Sequence, residues 1–404
     1  MNVLFLSLSR MKDFKGGGIY IGLLREFVKR GHHVYMVSPA ERRFHEKTSI
    51  IEEGNFCMLR VRSLNIQKAN IIEKGIGTMI VSYLFYNAIK KYYKGIHFDI
   101  ILYPTPPITL VSAVVKLKKE YGTPTYLLLK DIFPQNAVDL GMFKKGSFFY
   151  RIFRKQEKRL YEVSDHIGCM SPANVEYLKL HNTELPVEKI EVNPNSFPVS
   201  NDKVEITDEE KKNIRIKYNV PIEKTVFIYG GNLGKPQGLD FLLKVIENNE
   251  KEEKVFYLIV GDGTEYQKIE TWFKEKRPNN AKLIARLPKN DYDMLAASCD
   301  VGLIFLDPRF TIPNYPSRLL AYLQGSKPVL CAIDKNTDIG TIAQNNGYGF
   351  LCENGDSDSF EFLVQELLDA ELRKKMGEAG HKFFLENYTT ERSYEIIMNH
   401  FRHV

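Results

Sequence analysis

Short apolar runs that alternate with helix-length segments, twice over, constrain this chain more than any other feature. In the first half, "NVLFLSLS", "HVYMVSP", "FDIILYP", "TYLLLKD" and "HIGCMSP" are strand-length and nearly all apolar. Helically spaced segments such as "GLLREFVKRG" and "LVSAVVKLKKEYG" separate them. The rhythm restarts with "TVFIYGG", "KVFYLIVGDG", "AKLIARL", "VGLIFLD", "KPVLCAI" and "GYGFLCE". Strands apolar on both faces belong in parallel sheets covered by helices. The pattern therefore predicts an α/β protein of two doubly wound, Rossmann-like domains. Each series opens on a strand, a glycine-rich turn and a helix, so each opening starts its own domain.

At 404 residues the chain exceeds what one core usually serves. The Pro/Asn-rich "NPNSFPVSND", after the strand "KIEV", sets the boundary between 197 and 198. No apolar run approaches the roughly 18 residues of a spanning helix. The first strand lacks the basic start and small-residue cleavage site of a signal peptide. Five scattered cysteines, with no C-x-x-C pair, suit a reducing compartment and argue against a zinc site. Charge is uneven: residues 1–200 hold 29 Lys and Arg against 18 Asp and Glu, the remainder 27 against 32. A basic half suggests an anionic surface as partner, and no groove-reading motif favours nucleic acid.

Open parallel sheets bind ligands at the carboxyl ends of their strands, and two such domains predict a site in a cleft between them. Three segments are candidates to line it. "MKDFKGGGIYIG" places Gly16, Gly17 and Gly18 between strand and helix, where bare backbone and a helix N-terminus favour phosphate. Its loop is too long, and its glycines too contiguous, for a nicotinamide fingerprint, so a plain flexible turn stays open; Glu41 imitates the ribose-binding acid only weakly. "GGNLGKPQGLDFLL" offers Gly230, Gly231, Asn232 and Lys235 but no Walker pattern. Lys235 is either a diphosphate partner or a solvated loop lysine. "DPRFTIPNYPSRLLAYLQGSKPVL" reads as a helix start with Pro316 in the first turn. There Ser317 and Arg318 would offer amides and a guanidinium to a diphosphate, unless Arg318 is an ordinary surface residue.

These segments, together with "YPTPPITL", "LLLKDIFPQNAVDLG", "VGDGTEYQKI" and "YPSRLLAYLQGSKPVL" in this order, resemble GT-B glycosyltransferases of the retaining family 4. The likeness is nearest to the bacterial surface-polysaccharide branch that includes N-acetyl-fucosamine transferases. The resemblance implies two domains facing across a cleft, an acceptor domain of about 1–197 and a nucleotide-sugar domain of about 198–385. A terminal helix of about 386–404 would cross back to the first. It implies a UDP-sugar donor, no cofactor, no metal and a polyprenyl-diphosphate-linked glycan acceptor. Gly16–Gly18 would lie over the donor phosphates and acceptor, Gly230–Asn232 would face the diphosphate, and Gly261, Asp262 and Gly263 would abut the nucleotide. Leu287 would hold the base by its backbone, and Asn314, Tyr315, Pro316 and Ser317, with Arg318, would hold the diphosphate. Two departures stand out. The family's two glutamates, eight apart, fall here on Pro313 and Ala321, and its loop arginine and lysine on Asn232 and Gln237. Lys235 and Arg318 are the candidates to replace the lost positive charge.

Asp131, after the strand "TYLLL", is expected at the carboxyl edge, as an orienting carboxylate or as the cap of the next turn. His32 and His33 precede a strand and serve the turn rather than chemistry. "KKGSFFYRIFRKQEKRLYEV", about 144–161, places Phe148, Phe149, Ile152, Phe153 and Leu160 within an arc of about 140°. Arg151, Arg154, Lys155, Lys158 and Arg159 adjoin it. That pattern reads either as an anionic-membrane contact or as a core-packed helix with a solvated basic face. The expectation is a cytoplasmic glycosyltransferase, peripheral on the inner face of the cell membrane, that serves capsule or O-antigen assembly. A 2-epimerase of the same fold and a nucleotide-sugar-binding protein without turnover are the rivals.

Overall fold

The structure, a computed structural model, describes residues 1–11, 13–14, 16, 18–66, 71–199 and 206–401, without the side chains of 71, 72 and 74–76. Gly17 lies outside the described residues. Two compact units divide the chain: Met1–Pro198 with Thr390–Val404, and Val199–Thr389.

In the first unit the strands are β1 (Asn2–Leu6), β2 (His33–Glu41), β3 (Ser49–Glu53), β4 (Phe56–Ser63), β5 (Ile100–Pro104), β6 (Thr125–Leu129), β7 (His166–Cys169) and β8 (Ile190–Val192). They form one sheet in the order β3-β4-β2-β1-β5-β6-β7-β8. Every residue of β5 and β6 is buried, as a strand covered on both faces requires. Leu4 and Leu6 of β1 enter one core cluster while Val3 and Phe5 enter another, so apolar layers lie on both sides. The sheet is not wholly parallel: β3 pairs antiparallel with β4 around Gly54, whose φ of +58° suits glycine in a tight turn. β3 is mostly exposed, with no apolar run to mark it. The helix Thr390–Met398 belongs to this unit and packs on the helix Ile19–Lys29. There Tyr394 meets Phe27 edge-on at 4.9 Å, and its hydroxyl bonds to His32 Nε2 at 2.8 Å.

The second unit has β9 (Thr225–Asn232), β10 (Val255–Asp262), β11 (Ala281–Ile284), β12 (Val301–Phe305), β13 (Val329–Ile333) and β14 (Gly349–Glu353), ordered β11-β10-β9-β12-β13-β14. All of its pairings are parallel. Strand order reverses between β1 and β5 in the first sheet and between β9 and β12 in the second. The carboxyl ends there are the natural ligand positions.

Arg215, on the helix Asp208–Lys217, is 1% exposed and locks that helix to β9 and β12. Its guanidinium donates to the carbonyls of Pro221, Ile222, Lys224 and Ser298 and, at 2.7 Å, to Asp300, which also accepts from the Val226 amide. Replacing it leaves a buried carboxylate and several carbonyls unpaired. Arg215→Met is expected to cost about 3 kcal/mol of stability, read as a lower denaturation midpoint; an unchanged midpoint contradicts this role.

Candidate functional site

In the second unit the polar groups converge where β9 and β10 end. Gly230, Gly231 and Asn232 pair in register with Val260, Gly261 and Asp262. A side chain on Gly261 would strike the Gly231 carbonyl, and Gly231 has φ +118°. Both positions therefore keep bare backbone at the strand ends. Arg318 lies beside it, its guanidinium 3.9 Å from where a Gly231 side chain would begin. Two contacts hold that guanidinium: Nη2 donates to Gln237 Oε1 at 2.7 Å, and the Tyr229 ring lies beneath it at 4.1 Å. The Tyr229 hydroxyl donates to the Asn232 carbonyl at 2.9 Å and also lies 3.2 Å from Gln237 Oε1. Tyr322 accepts from the Gly230 amide and donates to the Ile228 carbonyl, both at 3.1 Å. Tyr292 closes over Gly230, and burial pushes its hydroxyl up to about 12. Arg318 Nη1 is buried without a hydrogen-bond partner among the described residues. A half-satisfied, pre-oriented guanidinium is an anion acceptor.

The helix that carries Arg318 is Arg318–Gln324, so Pro316 precedes it rather than filling its first turn. The amides of Leu319 and Leu320 are used by Pro316 O and Ser317 O, at 3.2 and 3.1 Å. Those of Ser317 and Arg318 have no acceptor among the described residues, and Ser317 is exposed. Asn314 is fixed by its amide to Thr337 Oγ1 at 3.0 Å. Tyr315 is 7% exposed and hydroxyl-bonded to Tyr388, so its side chain braces the segment from inside instead of facing a ligand. Lys235 begins the 3-10 turn Lys235–Gln237, with its side chain exposed and without a partner among the described residues. Asp262 is exposed, and its Oδ1 accepts from Gly263 N at 2.8 Å. Leu287 is half-buried in the loop after β11. Pro313 is buried and Ala321 exposed, and neither supplies a carboxylate.

The first unit gathers its own polar edge. Asp131 follows β6, with its carbonyl bonded by Thr105 Oγ1 at 3.1 Å and its Oδ2 by Asn136 Nδ2 at 2.7 Å. Burial pushes its carboxyl up to about 6, against hydrogen bonds from Ile132 and Asn136 that lower it. Neighbouring Lys130, which the sequence reading passes over, donates to the Asn193 carbonyl at 2.9 Å, and burial lowers its ammonium to about 7. Gly16 and Gly18 lie before the helix Ile19–Lys29, Gly18 at its N-cap with φ +136°. Arg25 ties that loop down through the Phe14 and Gly16 carbonyls. Glu41 is fully buried and bonded to the Ile66 amide and Arg43, which removes it as a ribose ligand. Among the described residues no group of three or more His, Cys, Asp or Glu is placed to hold a metal ion.

The basic segment forms the helix Phe148–Val163, capped by Ser147. Phe148 and Phe149 are exposed, at 73% and 61%, and Ile152 at its margin. Phe153 and Leu160 are not on that face: Leu160 is buried, and Phe153 packs on Phe133 at 5.0 Å. Arg154 is spent on Glu157 and Asn182, and Lys158 on Glu184. No helix among the described residues is long and apolar enough to cross a membrane.

Comparison with known proteins gives these features a class. Residues 16–200 match Glycosyltransferase Family 4, and residues 210–383 match Glycosyl transferases group 1. The fold, two parallel-sheet α/β units, is that of the GT-B glycosyltransferases. Probable glycosyltransferase WbjE of Pseudomonas aeruginosa is 24% identical over 330 residues, 81% of this chain and 80% of that protein. Putative colanic acid biosynthesis glycosyl transferase WcaI of Escherichia coli K12 is 20% identical, covering 95% of both chains. Anabaena HepE, solved in complex with UDP-glucose, aligns over the full length of both chains with a TM-score of 0.69 and 15% identity. The chain thus carries two regions that match glycosyltransferase family models, arranged in the GT-B fold.

If a diphosphate is held at this guanidinium of Arg318, removing the group would delete one charged contact. Arg318→Ala is expected to weaken UDP binding about 10- to 100-fold by calorimetry, and unchanged affinity removes Arg318 from the site.

Proposed function

We propose that the protein is a retaining glycosyltransferase that takes a sugar from a UDP-sugar, an N-acetylhexosamine or deoxy derivative, to a lipid-linked oligosaccharide. The acceptor would be carried on polyprenyl diphosphate during capsule or O-antigen assembly, as in the surface-polysaccharide branch that the sequence resembles. The observation that carries the reading is the Arg318 cradle: a guanidinium fixed by Gln237 and Tyr229, beside bare glycine backbone, with one nitrogen unpaired among the described residues. A leaving diphosphate there would gain charge in the transition state, and fixed cations and amides stabilise it without reorganising. UDP-glucose in HepE and the colanic acid role in the name of WcaI support the donor class and the pathway type. Gly230, Gly231, Ser317 and Arg318 would hold the diphosphate, Gly261–Gly263 and Leu287 the nucleoside, and Asp131 the acceptor hydroxyl or sugar. Lys235, exposed and with no side-chain partner among the described residues, would close on the phosphates.

The membrane end of the acceptor gives Phe148, Phe149 and Ile152 a role, with Lys144, Lys145, Arg151 and Lys155 drawn to anionic headgroups. The protein would then work on the inner face of the cell membrane. Binding without turnover is the second reading, and Ala321, in place of a ribose-binding glutamate, is the observation behind it. Nucleotide-sugar binding with no transfer to any lipid-linked acceptor would decide for it.

Two assays test the catalytic reading. Asp131 ionises only above about pH 6, since burial raises its folded-state value over that of a free carboxyl. Transfer that uses its carboxylate should fall as pH drops through about 6, and Asp131→Asn should flatten that limb at a lower rate; an identical profile excludes the role. Transfer should also persist in EDTA, and loss restored by Mg²⁺ would contradict charge stabilisation by protein groups alone.

A further inference from the structure

A second helix of the first unit leaves large apolar side chains in solvent with the same spacing as the first. Phe148, Phe149 and Ile152 follow i, i+1, i+4; so do Met79, Ile80 and Tyr83 on the helix Ile71–Tyr92, where Met79 is 69% and Tyr83 62% exposed. The two helices flank one feature, the 3-10 turn Ile108–Leu110 that follows β5, and both pack on it. Ser82, next to Tyr83, bonds the Thr109 carbonyl at 2.7 Å and the Ala113 amide at 3.2 Å. On the other side Phe153 rests on Phe133, just past β6. Both apolar sets therefore stand at the end of the sheet where β5 and β6 finish.

The charge around them has one sign. Residues 77–92 and 140–156 contain no Asp or Glu, while 144–155 carry Lys144, Lys145, Arg151, Arg154 and Lys155. Lys116, on the helix Val111–Tyr121, reaches over both Tyr83 and Tyr86, with its Nζ 5.8 and 5.1 Å from the ring centres. The nearby acids are engaged: Glu120 by Lys90 and Tyr86, Glu157 by Arg154 and Tyr161. A second copy of this chain would meet the surface with the same positive charge, whereas anionic lipid complements it.

We infer that the helix Ile71–Tyr92 is a second membrane-contacting element, with Met79, Ile80 and Tyr83 entering an anionic lipid surface beside Phe148, Phe149 and Ile152. The inference rests on the membrane reading above and adds to it. One amphipathic helix leaves a protein free to roll about its axis; two that flank the same turn fix which edge of the unit faces the bilayer. A lipid-linked acceptor would then meet the β5 and β6 ends at a set height.

Tryptophan probes separate this inference from the reading beneath it. Tyr83→Trp and Phe149→Trp are made singly in the full chain, and the signal of Trp272, the single native tryptophan, is subtracted from wild type. Each is titrated with vesicles of phosphatidylglycerol and chain-brominated phosphatidylcholine. Blue-shifted emission and bromine quenching at both positions are expected. Met79→Ser with Tyr83→Ser should weaken vesicle partition about tenfold or more with the melting curve unchanged. Quenching of Phe149→Trp but not Tyr83→Trp overturns the second contact and leaves the first. Quenching at neither position overturns both. A dimer in solution that Met79→Glu dissociates, with Tyr83→Trp unquenched, assigns the face to self-association and overturns the inference.

Discussion

Everything functional here depends on parallel strands buried on both faces. Such strands have no free face on which to build a site, so chemistry is confined to the loops at their carboxyl ends. The second unit shows how tightly that confines the chain. β9 and β10 run so close at their last residues that Gly261 cannot carry a side chain. The steric demand of the sheet falls on the same glycines whose bare backbone is proposed to meet a phosphate. A larger residue at Gly261 would damage fold and site together.

The charge chemistry has been rearranged within that frame. At the two positions where the family resemblance implies a lysine and a ribose-binding glutamate, the chain has Gln237 and Ala321. Gln237 does not vacate its post: its Oε1 accepts from Arg318, and Tyr229 supports the guanidinium from below. The cation comes from the helix Arg318–Gln324, 81 positions further on, and the loop supplies its anchor. Tyr315, bonded inward to Tyr388, keeps the segment ahead of that helix in place. A guanidinium held by a neutral amide stays fully available to a diphosphate, which a carboxylate partner would have partly neutralised.

The fold was largely legible because continuous apolar runs between helically spaced segments admit few architectures. What escaped was short or local. β3 is exposed and has no apolar run, so the antiparallel hairpin with β4 gave no periodic signal. Pro316 marks the approach to a helix rather than its first turn, a distinction of two residues that sequence patterns seldom resolve. The Arg318–Gln237 pair spans 81 positions, and no spacing rule links residues on different loops. Phe153 and Leu160 share an arc with exposed phenylalanines, yet which side of that arc meets the core depends on tertiary neighbours such as Phe133, beyond the helix itself. Lys130 was invisible for a related reason: its lowered ammonium arises from burial against β8's end, which only the assembled sheet provides.

The central claim is that the second unit recognises a nucleotide sugar through its diphosphate, with Arg318 as the fixed cation. Thermal melting of the full chain with a panel of UDP-, GDP- and dTDP-sugars tests this most directly, because a ligand bound only by the folded state must raise the melting temperature. The account predicts a selective rise with a UDP-sugar, a smaller one with UDP alone, and clearly reduced rises in a chain lacking the Arg318 guanidinium. No shift with any nucleotide sugar, or an equal shift when Arg318 is removed, would contradict it.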